Sequence, residues 1–293
     1  MTDNAKEPDF VPFNFGALDA ARSSLEISRV VILPVPYDST STYLAGSREG
    51  PQAIISASRN MELFDEELNL EPCTVGIHTL PFLDPVVSSP DEMVRVVSDV
   101  TSSHLEKGKF VVLLGGDHIL SVGAVVAMKE RHSSLGVIQF DAHADLRESY
   151  QGTRMSHACT GRRLFEMCPL LQVGTRSLSR AEQEFRASTG IPFLSPSHTE
   201  EFSARLDDLP QEIYVTIDVD VFDPSIMPSV GTPEPDGLSW VQVADLTDEI
   251  ASRKKVVGFD VSELRPIPGL VAPDFLTAKL VYRLIGLFVR AAR

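Results

Sequence analysis

The chain has 293 residues, 43% hydrophobic and 23% charged, with 41 acidic against 26 basic side chains and a formal net charge of −15. This is globular material with ample apolar content for a core, and its acidic balance argues against nucleic acid or an anionic membrane as partner, since those favour basic faces. Cys73, Cys159 and Cys168 are widely spaced with no CxxC pair and read as free thiols of a reducing, cytoplasmic compartment; the polar N-terminus does not read as a signal peptide, and no apolar run approaches a membrane span.

In chain order, residues 1–25 are expected as a loosely ordered arm of a single domain spanning 1–293. Eight short apolar runs follow: "VVILPV" (30–35), "CTVGI" (73–77), "FVVLL" (110–114), "LGVIQF" (135–140), "LLQVGT" (170–175), "IPFL" (191–194), "EIYVTI" (212–217) and "KVVGFDV" (255–261). Most are continuous rather than alternating, as expected for strands covered on both faces. Helix starts lie between them. Ser89-Pro90-Asp91-Glu92 combines an N-cap, a first-turn proline and a capping glutamate, and Ser179 with Glu182 and Ser239 with Gln242 repeat the capping box. Alternation of strand and helix from end to end predicts an α/β domain with a mainly parallel sheet.

Ionisable groups collect where four of these runs end. "FVVLLGGDH" ends in Asp117-His118, "VIQFDAHAD" in Asp141, His143 and Asp145, "YVTIDVDVFD" in Asp218, Asp220 and Asp223, and "VVGFDVSEL" in Asp260 and Glu263. Ligands of open parallel sheets bind beyond the carboxyl ends of the strands. One charged strand end is ordinary; four at one edge need an opposite charge to justify them. Residues two apart on a strand share a side, so Asp141, His143 and Asp145 converge, as do Asp218 and Asp220. With His118 they make two imidazoles and four carboxylates without thiolate. That exceeds the three protein ligands of a catalytic zinc. It fits two metals bridged by carboxylates, about 3.5–4 Å apart in such sites, and oxygen and nitrogen donors suit Mn²⁺. The segment 218–223 lacks the glycine and glutamate of an EF-hand loop. Gly115-Gly116 is no P-loop and is expected to let the backbone turn sharply beneath the site.

"GGDHIL", "FDAHADLR", "TIDVDVFDPSIMPSVGTPEPDGL" and "GFDVSELRP" resemble, in order and spacing, the signatures of the ureohydrolase family of arginases and agmatinases, from about residue 30 to the end. The resemblance implies a three-layer α/β/α sandwich around an eight-stranded, mainly parallel sheet. It implies one Mn²⁺ on His118, Asp141, Asp145 and Asp218 and a second on Asp141, His143, Asp218 and Asp220, with Asp141 and Asp218 bridging. It also implies a homo-oligomer, trimer or hexamer. Ile119 stands where serine is usual, and Ser229-Val230 where Gly-Thr is more common; neither change removes a ligand.

The chemistry so implied is hydrolysis of a guanidino group to urea and an amine. Two metals lower the pKa of water to give a nucleophile near neutral pH. Glu263 resembles the family's guanidinium-binding carboxylate and would make paired charge-assisted bonds. Asp145 would relay a proton, and His157, in "YQGTRMSHACTGRR", would shuttle protons or contact substrate. The loop "LRESYQGTRMSHAC" looks agmatinase-like, which makes agmatine the first expected substrate. N1-aminopropylagmatine is the alternative, and guanidinobutyrate or arginine would follow if Arg147 or Arg154 receives a carboxylate. Cys159 and Trp240 read as packing, and Arg162-Arg163 as a solvated or intersubunit helix face. A single-zinc deacetylase-like hydrolase or a silent binding protein would be expected to lack part of this ligand set.

Overall fold

A computed structural model describes residues 11–289. Each apolar run supplies a strand: β1 Val30–Val35, β2 Ile77–Thr79, β3 Phe110–Gly115, β4 Leu135–Phe140, β5 Leu170–Val173, β6 Phe193–Leu194, β7 Glu212–Asp218 and β8 Lys255–Ser262. β2 begins at the end of its expected run, because Pro72 opens a 3-10 turn over Pro72–Val75 and Gly76 leaves it at φ 75°. The helices are α1 Ala20–Ser23, α2 Gly50–Ser58, α3 Pro90–Leu105, α4 Leu120–Arg131, α5 Thr160–Met167, α6 Arg180–Thr189, α7 Phe202–Asp207, α8 Trp240–Arg253 and α9 Ala272–Phe288. Ser89, Ser179 and Ser239 cap α3, α6 and α8 as their sequences predict, the last two with complete capping boxes.

The strands form one sheet in the order β2-β1-β3-β8-β7-β4-β5-β6, every pair parallel. Alternate residues enter two cores. Val112 and Leu114 of β3, Ile138 and Phe140 of β4 and Ile213, Val215 and Ile217 of β7 pack with α2, α7, α8 and α9. Val111, Leu113, Val137 and Tyr214 pack on the other face with α3, α4 and α5. The expected three-layer α/β/α arrangement is the observed one. Its topology also decides the site. β7 and β8, last in the chain, insert between β3 and β4, so the four strands with ionisable ends are the four central neighbours β3-β8-β7-β4.

Three local readings differ from the sequence expectation. Of residues 1–25, the first ten lie outside the described residues, but Phe15 and Leu18 are buried, with the Phe15 ring 6.3 Å from that of Tyr282. A large apolar side chain accounts for that anchoring. Arg163 is buried, pairing with Glu148 at 3.4 Å and Glu166 at 3.1 Å, and Arg162 stacks 3.5 Å over the Phe185 ring. Arg163 is internal and Arg162 half-buried because a carboxylate and an aromatic face are in reach, so the pair is not the solvated face that was one of its two expectations. Gly116 serves close approach rather than a turn: a Cβ there would lie 2.2 Å from the Tyr37 carbonyl oxygen.

Candidate metal centre

His118, just beyond β3, is fully buried. Its Nδ1 faces three carboxylates, Asp141 at 3.1 Å, Asp145 at 3.5 Å and Asp218 at 3.5 Å. His143, beyond β4, points Nδ1 at Asp220, 2.8 Å away, and at the other oxygen of Asp141, 3.7 Å away. Two ligand triads result, His118-Asp141-Asp218 and Asp141-His143-Asp220, with Asp141 common to both. Asp145 reaches the first through His118. The six residues expected as metal ligands therefore meet. Asp223 and Asp260 do not join them. Asp223 accepts the Ser225 and Gly237 amides and closes its own loop. Asp260 lies within β8 and supports His118 from behind.

That support fixes a tautomer. The Thr216 hydroxyl donates to Asp260 at 2.8 Å, and Ser121 donates to the same oxygen. Thr216 is thereby left to accept from His118 Nε2–H at 2.9 Å, so Nδ1 is the nitrogen turned to the cluster, where a cation would replace its proton. His118 Nδ1 is buried and makes no hydrogen bond among the described residues.

The electrostatics follow from crowding acid in a buried place. Burial opposes charge on His118 and His143, yet Asp141 with Asp145, and Asp220 with Asp141, hold these imidazoles well above the usual range. Burial and then the Asp141 charge push Asp145 up to about 7. Burial, Asp220 and Asp141 raise Asp218 well above an ordinary carboxylate. Asp141 is held low by its two histidines despite burial. The cluster carries more negative charge than its protein cations balance, and it attracts protons in their place.

Glu263, beyond β8, accepts the His118 amide at 2.7 Å, and its own amide donates to Gly116 O at 2.8 Å. It faces the cleft above the triads together with Asp145, His157, Asp218 and Asp220. Burial and the Asp117 charge raise its carboxyl well above the usual value. His157, from the turn His157–Cys159 before α5, is set by residues the sequence reading gave no role. The Thr40 hydroxyl donates to Asp117 at 2.7 Å, accepts the His157 amide at 2.9 Å and lies 3.2 Å from Nδ1. With its proton committed to Asp117, Thr40 can only accept from Nδ1–H, which leaves Nε2 toward Thr42 and the cleft. Burial keeps His157 below the ordinary imidazole value despite the Asp117 charge.

A model of the arginase family matches residues 28–286. The chain is 40% identical over 278 residues to the N(1)-aminopropylagmatine ureohydrolase of Thermus thermophilus, covering 93% of this chain and 94% of the relative. It is 37% identical over 288 residues to the N(1)-aminopropylagmatine ureohydrolase of Synechocystis sp., covering 93% of each. The solved agmatine ureohydrolase of Thermoplasma volcanium superposes with a TM-score of 0.87 at 28% identity, over 96% of this chain and 95% of that one. The chain belongs to the arginase family. As a member it is a hydrolase of guanidino carbon–nitrogen bonds, with a small guanidino molecule as substrate, in a family that depends on two metal ions. The residues here fit such a pair: a buried imidazole nitrogen without a hydrogen-bond partner among the described residues, aimed at three carboxylates, and a second triad sharing Asp141. Membership also sets aside the deacetylase-like and silent-binder readings.

Beside the narrow arginase-family cleft opens a wider cavity of 310 Å³, sharing Thr42, His143, Asp145, His157 and Thr232 with it. Arg147 lies on its wall, 4.8 Å over the Tyr150 ring and 4.0 Å from Glu182. Arg154 is on neither lining; it pairs with Glu148 at 2.9 Å and Glu166 at 3.6 Å. Cys159 is buried in the wall, and burial pushes its thiol up to about 11, which suits packing rather than nucleophilic work. No described helix is long and apolar enough to cross a membrane.

Proposed function

We propose that the chain hydrolyses N1-aminopropylagmatine to urea and spermidine, using two Mn²⁺ ions. The similarity to two N(1)-aminopropylagmatine ureohydrolases, at 37% and 40% identity over nearly the whole of each chain, carries this reading. It reverses the order expected from the loop around His157, which placed agmatine first. The 310 Å³ cavity beside the cleft supports it, since a longer polyamine tail needs room that agmatine does not. Agmatine remains the second reading, favoured by the likeness to the Thermoplasma volcanium enzyme.

His118, Asp141, Asp145 and Asp218 would hold one ion, and Asp141, His143, Asp218 and Asp220 the other. The donor set is nitrogen and oxygen without thiolate, which suits Mn²⁺. When bound, such a pair supplies Lewis acidity and brings the pKa of water toward neutrality. The rest falls to the side chains. Burial raises the Glu263 carboxyl, and a guanidinium brought beside it favours the ionised form. Oriented by the His118 amide, that carboxylate then binds the guanidinium by a charge-assisted hydrogen bond and fixes the carbon over the cluster. Asp145, which burial and the Asp141 charge make unusually basic for a carboxylate, can take up and return a proton beside the cluster. His157, neutral and with Nε2 toward the cleft, can accept a proton or a substrate N–H. Collapse of the tetrahedral carbon expels the amine, which leaves protonated.

Urea release from N1-aminopropylagmatine, agmatine, 4-guanidinobutyrate and arginine, compared by kcat/KM with Mn²⁺ present, tests the assignment. N1-aminopropylagmatine is expected to lead. A tail in this cavity meets Glu182 on its wall, and a carboxylate of arginine or guanidinobutyrate left poorly paired there would cost orders of magnitude. A lead for guanidinobutyrate would make Arg147 a carboxylate receptor and overturn the substrate.

A further inference from the structure

Arg176, just past β5, gathers three loops. Its Nε donates to Pro235 O at 2.9 Å. Its Nη2 donates to Glu234 O at 2.9 Å, Asp220 O at 2.8 Å and Phe222 O at 3.4 Å, and its Nη1 to Gly174 O at 3.1 Å and Val221 O at 3.3 Å. A planar fork of donors can bridge several carbonyls in this way, as a lysine ammonium cannot. The result ties the turn that carries Asp220 to the loop that carries Glu234.

The Glu234 side chain then turns toward the site. One of its oxygens accepts the Ser177 hydroxyl at 2.8 Å and lies 3.7 Å from Nε2 of His143. Ser177 is itself joined to the ligand segment: its amide donates to Ala142 O at 2.9 Å and its carbonyl accepts the Ala144 amide at 3.0 Å. His143 is thus bracketed, with Asp220 and Asp141 before Nδ1 and Glu234 behind Nε2. His118 receives the equivalent backing from Thr216.

We propose that Glu234, held in place by Arg176, is a positioning residue that orients the His143 ring and sets the affinity of the metal position His143 serves. The inference rests on the two-cation reading of the cluster. Carboxylate or hydroxyl backing of a ligating histidine fixes its tautomer and raises its basicity, and its loss typically weakens metal binding ten- to a hundredfold. Two backings of different chemistry separate the two positions, so Glu234 acts on one of them.

Calorimetric titration of the purified full chain with Mn²⁺ alone tests this, alongside the thermal midpoint of each protein. Wild type is expected to take up two ions. Glu234→Ala is expected to weaken one of them ten- to a hundredfold, leave the other unchanged and keep its thermal midpoint. Glu234→Gln, which retains an acceptor oxygen, is expected to lose less. Arg176→Lys is expected to weaken the same ion as Glu234→Ala. Two ions bound as tightly by Glu234→Ala as by wild type would overturn the role of Glu234. So would unchanged metal binding with a KM raised only for substrates with cationic tails, which would make Glu234 a substrate contact. Fewer than two ions in wild type would overturn the two-cation reading itself and the inference with it.

Discussion

Glu263 holds a backbone φ of 66° and Asp145 one of 51°, in the left-handed region that side chains other than glycine rarely enter. Such conformations cost of order 1–3 kcal/mol and persist where surrounding bonds over-determine them. For Glu263 those bonds are visible: its amide is held by Gly116 O and its carboxylate by the His118 amide. The strained backbone turns the acid into the cleft rather than along β8. Glu263→Gln should keep this conformation and the metal content while removing the charge that faces a guanidinium. A hydrogen bond to a charged group is worth roughly 1.5–3 kcal/mol, so kcat/KM should fall roughly ten- to a hundredfold. Steady-state urea release with metal analysis on the same sample checks it. Full activity in the glutamine variant would assign guanidinium binding elsewhere.

The four central strands bring like charge to one edge, and the consequence is a coupling between metal and protons. His118 and His143 are raised by their aspartates against the effect of burial, Asp145 is pushed up to about 7, and Asp218 lies well above its usual value. His118, His143 and Asp218 therefore hold protons at neutral pH, and Asp145 is partly protonated there, so a cation must displace protons. Affinity for Mn²⁺ should rise with pH through the neutral range, with protons released on binding. Titrations at pH 7 in buffers of different ionisation heat measure that release, and heats independent of buffer would contradict it. The candidate ligands were legible in the sequence because strand ends of a parallel sheet share an edge, and because the period of two fixes which residues converge. The continuous apolar runs marked the central strands by two-sided burial, whereas the run 73–77 met its strand β2 only at Ile77. The supporting residues left no such trace. Thr40 and Asp117 lie 77 positions apart, and Arg176 reaches Pro235 across 59, by contacts that have no period. A charged residue right after the apolar run 170–175, as Arg176 is, was the one available signal.

At the scale of the whole molecule, the acidic surplus acts on a cationic substrate before any contact is made. The formal net charge is −15, and Asp145, Asp218, Asp220 and Glu263 of the cleft are among the acidic residues that make it. Bound cations would offset much of the local charge, but the surface excess remains and favours approach of positive molecules. Its reach is limited by salt, with a Debye length of about 10 Å at 0.1 M and about 30 Å at 0.01 M. Raising ionic strength between these values should lower kcat/KM for every cationic guanidine. The drop should be steepest for N1-aminopropylagmatine, with a guanidinium and two ammonium groups, shallower for agmatine with one ammonium, and least for arginine, whose carboxylate cancels a charge. Only the ordering by charge separates long-range attraction from a general effect of salt on the metal centre, since the latter would scale all three alike. Urea release at fixed Mn²⁺ across that range measures it, and three parallel slopes would place recognition of the tail entirely in the cavity beside His157.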